Sequence, residues 1–340
     1  MTRRVSIVGT GLIGASVGAG LRADGWHVSG WDPSADSLDQ AVAIGALDQT
    51  HGSLQAAVAD DPDLVVLAAP PQSVIDVLSE LSTPALVTDV AGVKEPVIAA
   101  ASHLARFVGG HPMAGRETVG AEHASAALFR GATWVVTPEA ADEADVELVE
   151  SMVHALGARP VRMTAAEHDQ AVALVSHLPQ VLAVTLLESA QSTSHALDLA
   201  SGSFRDLTRV ASSDPSMWSQ LLSANRGEVA ARLRAFGHRL EALADTVGEA
   251  GAMETRLEAA RGVRSALAPP VVAVDVALAD EPGELAKVGR ALENSSVDVR
   301  DLQLRHGRHG GGGVLTLSVR PGEAETLIAA LVSVGLEVLA

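Results

Sequence analysis

One stretch near the N-terminus constrains the fold more than any other. It runs Val5-Ser6-Ile7-Val8-Gly9-Thr10-Gly11-Leu12-Ile13-Gly14, and a helical pattern follows at once from Ala15 to Ala23. An apolar, β-branched run that breaks into Gly-x-Gly-x-x-Gly and opens a helix is a fingerprint for a dinucleotide site. Gly9 permits a tight turn, Gly11 lets the backbone approach a pyrophosphate, and Gly14 lets helix and strand pack closely. The helix then offers Leu12, Ile13 and Gly14 at its positive end to the anion. A second strand, expected over 28–31, ends in Asp32. An acidic group there accepts hydrogen bonds from ribose hydroxyls and repels a 2′-phosphate, so NAD is expected rather than NADP.

From Val5 to about Met163 short β-branched runs alternate with helical stretches, the pattern of a parallel sheet covered on both faces. Strands are expected at 5–8, 28–31, 64–68, 86–89, 107–109, 133–137 and 159–162. Ligands in such sheets sit beyond the carboxyl ends of the strands. That singles out Ala69-Pro70-Pro71 on the cofactor side, the loop 89–94, and the loop 109–115.

The rest of the chain changes character twice. From about 164 to 268 strand signals vanish and Ala/Leu-rich helices dominate, with Asp214-Pro215 as a cap and first-turn pair. Helices such as 171–190 are apolar on more than one face, which predicts burial against a second copy in a homodimer. Ala268-Pro269-Pro270 is read as a linker. Beyond it the order strand–helix–strand–strand–helix–strand predicts a small ferredoxin-like module, with 310–313 as its hairpin turn.

Bulk properties exclude several classes. The 340 residues carry 42 acidic and 24 basic side chains, a net charge of −18, which argues against nucleic acid or an anionic membrane as a partner. Without Cys there are no disulfides or thiolate metal sites, and no metal site is expected. Arg3-Arg4 and the uncharged run behind them imitate a secretory signal, but that run reads fully as strand, turn and helix. No other stretch is expected to be long and apolar enough to span a bilayer, and a cytoplasmic protein is expected.

Among polar residues, His111 is read as lying just past a strand end, in a glycine-flanked loop on the side where a nicotinamide would sit. A neutral imidazole there could take a hydroxyl proton as the neighbouring carbon loses hydride. Arg209 could clamp a substrate carboxylate, with Asp206 or Glu117 holding its guanidinium, or could form an ordinary interhelical ion pair. Pro179, after Ser176-His177-Leu178, is expected to kink an apolar helix. Asp280-Glu281-Pro282-Gly283-Glu284-Leu285 has the chemistry of a turn leading into a helix.

Taken in order, Gly9–Gly14, Gly110–Gly115 with Glu117, Ser176–Pro179, and Phe204-x-Asp206-x-Thr208-Arg209 resemble the prephenate/arogenate dehydrogenase family over nearly the whole chain. The tail resembles an ACT regulatory domain, whose Asp-x-Pro-Gly-x-Leu turn is matched at 280–285. The resemblance implies a Rossmann-type α/β domain over 1–163, an all-α substrate and dimerisation domain over 164–268, and an ACT-like α+β domain over 269–340. It implies NAD-dependent oxidative decarboxylation of prephenate to 4-hydroxyphenylpyruvate, with arogenate as the alternative substrate. More distant readings are an amino analogue of prephenate and a non-catalytic sensor. His111 would accept the hydrogen bond from the 4-hydroxyl; Arg209, Asp206, Glu117, His177, Gln180 and Gly92 would line the substrate site. A tyrosine or phenylalanine effector would meet Asp280, Pro282, Gly283 and Leu285. Two positions depart from the family pattern: Gly92 stands where a serine is usual, and Gln180 where a second histidine often follows the proline.

Overall fold

The computed structural model describes residues 2–115, 118, 120–267, 271–306 and 312–339. Chain contacts divide the protein into two compact units, Met1–Arg239 and Leu240–Ala340.

The first unit starts with β1 (Arg4–Val8), α1 (Leu12–Ala23), β2 (His27–Trp31), α2 (Ala35–Ala43), β3 (Gln49–Thr50), α3 (Leu54–Ala59) and β4 (Leu64–Leu67). It continues with α4 (Pro71–Glu80), β5 (Leu86–Asp89), α5 (Glu95–Ala100), β6 (Phe107–Pro112), β7 (Thr133–Thr137), α6 (Glu143–Ala155) and β8 (Arg159–Arg162). The eight strands form one sheet in the order β3-β2-β1-β4-β5-β6-β7-β8. The centre is apolar on both faces because helices cover both: all four residues of β4 are buried. Val5, Ile7, Leu64, Val66 and Leu86 pack with Trp134 and Met152 on one side. Val8, Val65, Leu67 and Val87 pack with Val74 and Val97 on the other. Each fully buried aliphatic side chain of this kind contributes ~1.5–3 kcal/mol.

The sheet is not parallel throughout. Strands β1 to β6 are parallel, but β7 runs antiparallel to β6, and β8 follows β7 in parallel. The segment between β6 and β7 carries, among the described residues, only a 3₁₀ turn at Ala121–His123 and no crossover helix. Without that helix the chain returns beside β6 in the opposite sense. The reversal also lengthens β6, because Gly109–Pro112 pair with Trp134–Thr137. His111 therefore lies within a strand, opposite Val135, rather than in a loop beyond it. The two-residue β3 was not anticipated from the sequence.

Helices complete this unit: α7 (Ala165–Val172), a π-helical turn Ala173–His177, α8 (Leu178–Gln191), α9 (Gly202–Thr208), a 3₁₀ turn Arg209–Ser212, α10 (Pro215–Ala224) and the start of α11 (Arg226–Thr246). Thr164 and Glu167 close a capping box at α7, and Asp214 accepts from the Met217 N–H at 2.7 Å with Pro215 opening α10. The break at Pro179 takes a particular form. The π turn runs straight into α8, whose second residue is Pro179, so the N–H that proline lacks falls where the helical hydrogen-bond pattern has already shifted register. One expectation is overturned here. The continuous helical run Ala165–Gln191 is 27 residues long and, by length and composition, apolar enough to cross a membrane. The run also holds His168, Asp169 and His177, all buried against protein.

The second unit contains the end of α11, α12 (Ala252–Leu267), β9 (Val272–Leu278), α13 (Glu284–Ser295), β10 (Asp301–His306), β11 (Gly313–Val319), α14 (Ala324–Ser333) and β12 (Glu337–Leu339). Its strands form an antiparallel sheet in the order β10-β11-β9-β12, the ferredoxin-like arrangement the element order suggests. Val274, Val276, Leu278, Leu315, Leu317 and Val319 alternate onto one face and bury against Val288 and Leu327 of its helices. The expected linker 268–270, and 310 and 311 of the expected hairpin turn, lie outside the described residues.

Candidate active site

The glycine turn is built for close approach. Gly9 sits at φ +94°, a conformation that favours glycine, and its N–H donates to the Trp31 carbonyl at 2.9 Å. A Cβ on Gly14 would lie 1.9 Å from the Gly9 carbonyl oxygen, so only glycine lets α1 start this near β1. Gly11 caps α1 without any side-chain hydrogen bond, and a Cβ there would meet no atom within 4 Å. The N-terminus of α1 thus faces open space with its donors unused by side chains, and no acidic residue occupies its first turn.

Asp32 completes the cradle. Its Oδ2 accepts from the Thr10 N–H at 2.7 Å and its Oδ1 from the Ser34 N–H at 2.8 Å, which fixes the carboxylate beside the turn. Half-buried Ala69 and exposed Pro70 follow β4 on the same edge; the adjoining Ala68 carbonyl would be 2.5 Å from a Cβ on Gly9. This cradle fits a dinucleotide: a free helix N-terminus for phosphates and an anchored acid for a ribose.

A second group of residues gathers at the ends of β5 and β6. Asp89, the last residue of β5, and Lys94, which precedes α5, are fully buried and form an ion pair. Lys94 Nζ also donates to the Gly110 carbonyl at 2.7 Å, while Asp89 accepts from the N–H groups of Ala91 and Gly110 at 2.8 and 3.1 Å. Burial draws the Lys94 ammonium below its usual pKa, and contact with Asp89 opposes that pull.

Across from this pair, α7 contributes His168 and Asp169, both buried. Asp169 is a hub. Its Oδ1 accepts from the Lys94 N–H at 2.7 Å and its Oδ2 from the Glu95 N–H at 2.9 Å, so it caps α5 from a different helix. Its Oδ1 also lies 2.7 Å from His168 Nδ1, and its backbone carbonyl accepts from Asn225 Nδ2 at 2.9 Å. Asn225 Nδ2 stands 3.3 Å from His177 Nδ1, and Trp218 meets the His177 ring edge to face at 6.0 Å.

His111 is half-buried, with Nδ1 2.7 Å from His168 Nε2. Burial, reinforced by the neighbouring His168, Lys94 and His177, pushes its pKa well below the ordinary histidine value, so the ring is neutral at pH 7. A Cβ built on Gly92 would lie 3.6 Å from His111 Nε2, and 2.9 Å from Leu221 Cδ2 of α10. Gly92 thus lies beside the outer nitrogen of the imidazole. Burial also lowers the His177 pKa, to about 4.

The other residues singled out from the sequence are placed as follows. His177 and Gln180 are buried on one side of the π turn and α8; Gln180 Oε1 has no hydrogen-bond partner among the described residues. Asp206 and Arg209 are exposed at the end of α9, and the 3₁₀ turn that Arg209 opens packs on α8. Glu117 lies outside the described residues. Asp280, Pro282 and Leu285 are exposed in the second unit, and Gly283 caps α13 at φ +99°. His168, Asp169 and Asn225 were not identified from the sequence. The available signal was an adjacent His-Asp pair inside a helix otherwise rich in Ala, Val and Leu.

A nucleotide cradle at one set of strand ends and a buried histidine network at the next define a two-part dehydrogenase. Residues 17–162 match the prephenate dehydrogenase nucleotide-binding domain, and residues 164–259 match the prephenate dehydrogenase dimerization domain. The chain belongs to the prephenate dehydrogenase family. It is 31% identical to the "probable prephenate dehydrogenase NovF" of Streptomyces niveus, over 96% of each chain. The crystal structure of Aquifex aeolicus prephenate dehydrogenase with hydroxyphenyl propionate and NAD+ superposes with a TM-score of 0.72 at 30% identity, covering 79% of this chain and 99% of that one. Synechocystis arogenate dehydrogenase superposes with a TM-score of 0.68 at 29% identity, covering 78% and 100%. Both structures leave about a fifth of this chain without a counterpart.

Proposed function

We propose that this protein catalyses the NAD-dependent oxidative decarboxylation of prephenate to 4-hydroxyphenylpyruvate, the precursor of tyrosine. The observation that carries the proposal is a neutral His111 at the end of β6 with its outer nitrogen beside Gly92, in the same sheet whose strands β1 and β2 end in the nucleotide cradle. The Aquifex enzyme, which binds NAD+ and a hydroxyphenyl ligand, supports the same pairing of cofactor and substrate. Bound NAD+ supplies a hydride acceptor for C4 of the substrate ring. Gly9, Gly11, Leu12, Ile13 and Gly14 would hold its pyrophosphate, Asp32 its ribose, and Ala69 and Pro70 would border it.

His111 accepts the proton of the 4-hydroxyl as that carbon becomes a carbonyl. When the ring carboxylate leaves as carbon dioxide, its bonding electrons aromatise the ring, and the phenolate oxygen recovers the proton from His111. No net proton is released, and the aromatic product makes the step effectively irreversible. Arg209, supported by Asp206 and Glu117, would bind a substrate carboxylate, and His177, Gln180 and Gly92 would shape the pocket. Arogenate is the alternative substrate, favoured by the likeness to the Synechocystis enzyme.

The helical segment 164–268 would form a homodimer. Leu174, Val175, Val184 and Leu186 expose apolar surface along the run that includes α8, within the segment that matches the dimerization domain. The ferredoxin-like module would be an ACT-like regulatory domain over 269–340, binding tyrosine or phenylalanine at Asp280, Pro282, Gly283 and Leu285. A cytoplasmic location fits a chain without cysteine.

The test is NADH formation with prephenate and arogenate side by side, with and without tyrosine. Turnover of prephenate supports the reading, preference for arogenate changes the substrate, and turnover of neither overturns it. Inhibition by tyrosine supports the regulatory assignment, and indifference to tyrosine and phenylalanine alike removes it.

A further inference from the structure

A histidine can serve as a hydrogen-bond acceptor on one face only if its proton sits on the other nitrogen. In water the Nε2–H tautomer is generally preferred, which would make His111 a donor toward Gly92. The surroundings of Nδ1 impose the opposite choice.

The hydrogen-bond directions follow from the far end of the network. The Asp169 carboxylate already accepts two backbone N–H groups, from Lys94 and Glu95, and is an acceptor only. The 2.7 Å contact from His168 Nδ1 to Asp169 Oδ1 therefore carries its proton on His168. With His168 neutral, its Nε2 is bare and must accept, so the 2.7 Å contact to His111 requires the proton on His111 Nδ1. The neutral His111 ring is then bare at Nε2, the atom beside Gly92. All three groups are fixed by secondary structure: His111 in β6 between two strands, His168 and Asp169 in α7.

We propose that His168 and Asp169 are positioning residues that hold His111 in its Nδ1-protonated tautomer, with Nε2 presented to the substrate hydroxyl as acceptor. This rests on the reading of His111 as the proton acceptor. Neither residue touches the reacting atoms; each acts through the ring of His111.

The experiment is ¹⁵N NMR of the full-length protein, selectively labelled at histidine, with NAD+ bound and no substrate, alongside steady-state kinetics. The wild type should show His111 protonated at Nδ1 and bare at Nε2. His168→Leu removes the acceptor and should shift His111 toward the Nε2–H form. Its kcat should fall on the order of 10²-fold, with the KM for NAD+ unchanged. His168→Gln, whose amide oxygen can accept from Nδ1–H, should restore the tautomer and most of kcat. A wild-type His111 protonated at Nε2 overturns the proposal, as does a His168→Leu protein with its tautomer unchanged, whatever its kcat. Should His168→Leu fail to fold, the wild-type spectrum and His168→Gln decide alone. The spectrum needs no substrate and is read separately from turnover. An active His111→Asn protein overturns the base reading, whereas a protonated Nε2 overturns the relay even if that variant is inactive.

Discussion

The backbone N–H of Lys94 donates to Oδ1 of Asp169 at 2.7 Å, joining residues 75 positions apart in sequence. Through this bond the start of α5, just beyond the carboxyl end of β5, is finished by a side chain from α7. The buried Lys94–Asp89 pair sits directly beneath the join. Replacing Lys94 by Met leaves Asp89 charged, buried and unpaired, and should destabilise the protein by about 3–5 kcal/mol. Chemical denaturation of the variant checks this. A loss under about 1 kcal/mol would show that the pair is dispensable.

Asp32 is anchored by two backbone N–H groups and aimed at the glycine turn. Asp32→Ala should raise the KM for NAD+ roughly 10- to 100-fold, the range for losing hydrogen bonds to a charged group. The KM for NADP+ should change little or fall, since the repelling charge is gone. Equal weakening toward both cofactors would remove Asp32 from the ribose.

His111→Asn should lower kcat by about 10²- to 10⁴-fold while the dissociation constant for NAD+ stays the same. The pH profile carries a sign as well. Because burial holds the His111 pKa well below 6.5, the neutral base persists as the solution is acidified through 6.5. The kcat/KM of the wild type should therefore stay flat across that point and fall only at lower pH. An acid limb centred at or above 6.5 would contradict the desolvated ring beside Lys94.

His177 makes a separate prediction about stability. Its pKa is about 4 in the folded protein against 6.5 for a free imidazole. Above 6.5 both states are neutral and the residue adds no pH dependence. Between 6.5 and about 4 the unfolded chain takes up a proton that the folded one refuses, so stability falls as pH falls, by ~3 kcal/mol in all. Below 4 both states are charged and the loss levels off. Denaturant titrations of wild type and His177→Phe across this range should show a shallower slope for the variant. Parallel slopes would locate the lost stability elsewhere.

How far these features could be read in advance depended on the distance over which they act. The glycine turn and Asp32 were legible because one strand, one turn and the next strand make the whole cradle. The Asp214-Pro215 helix start is equally local. The reversal at β7 was hidden because a β-branched run such as Thr133–Thr137 has the same composition in either direction; only the missing crossover helix distinguishes them. The His111 network was hidden for another reason. Its groups come from β6, α7 and the α10–α11 junction, and no spacing relates 111, 168, 169 and 225. Lys94 closes the loop 89–94 singled out in the sequence, yet its charge reads as an exposed group until the fold encloses it.

The cap that Asp169 places on α5 also bears on how such chains can be recombined. The two family domains meet between 162 and 164, a natural place to splice two relatives. A hybrid joined there would take its α5 from one parent and the acid that finishes it from the other. Crossovers placed a few residues later, after 169, would keep helix and cap from the same parent, and libraries built on the later junction should yield more soluble chimeras.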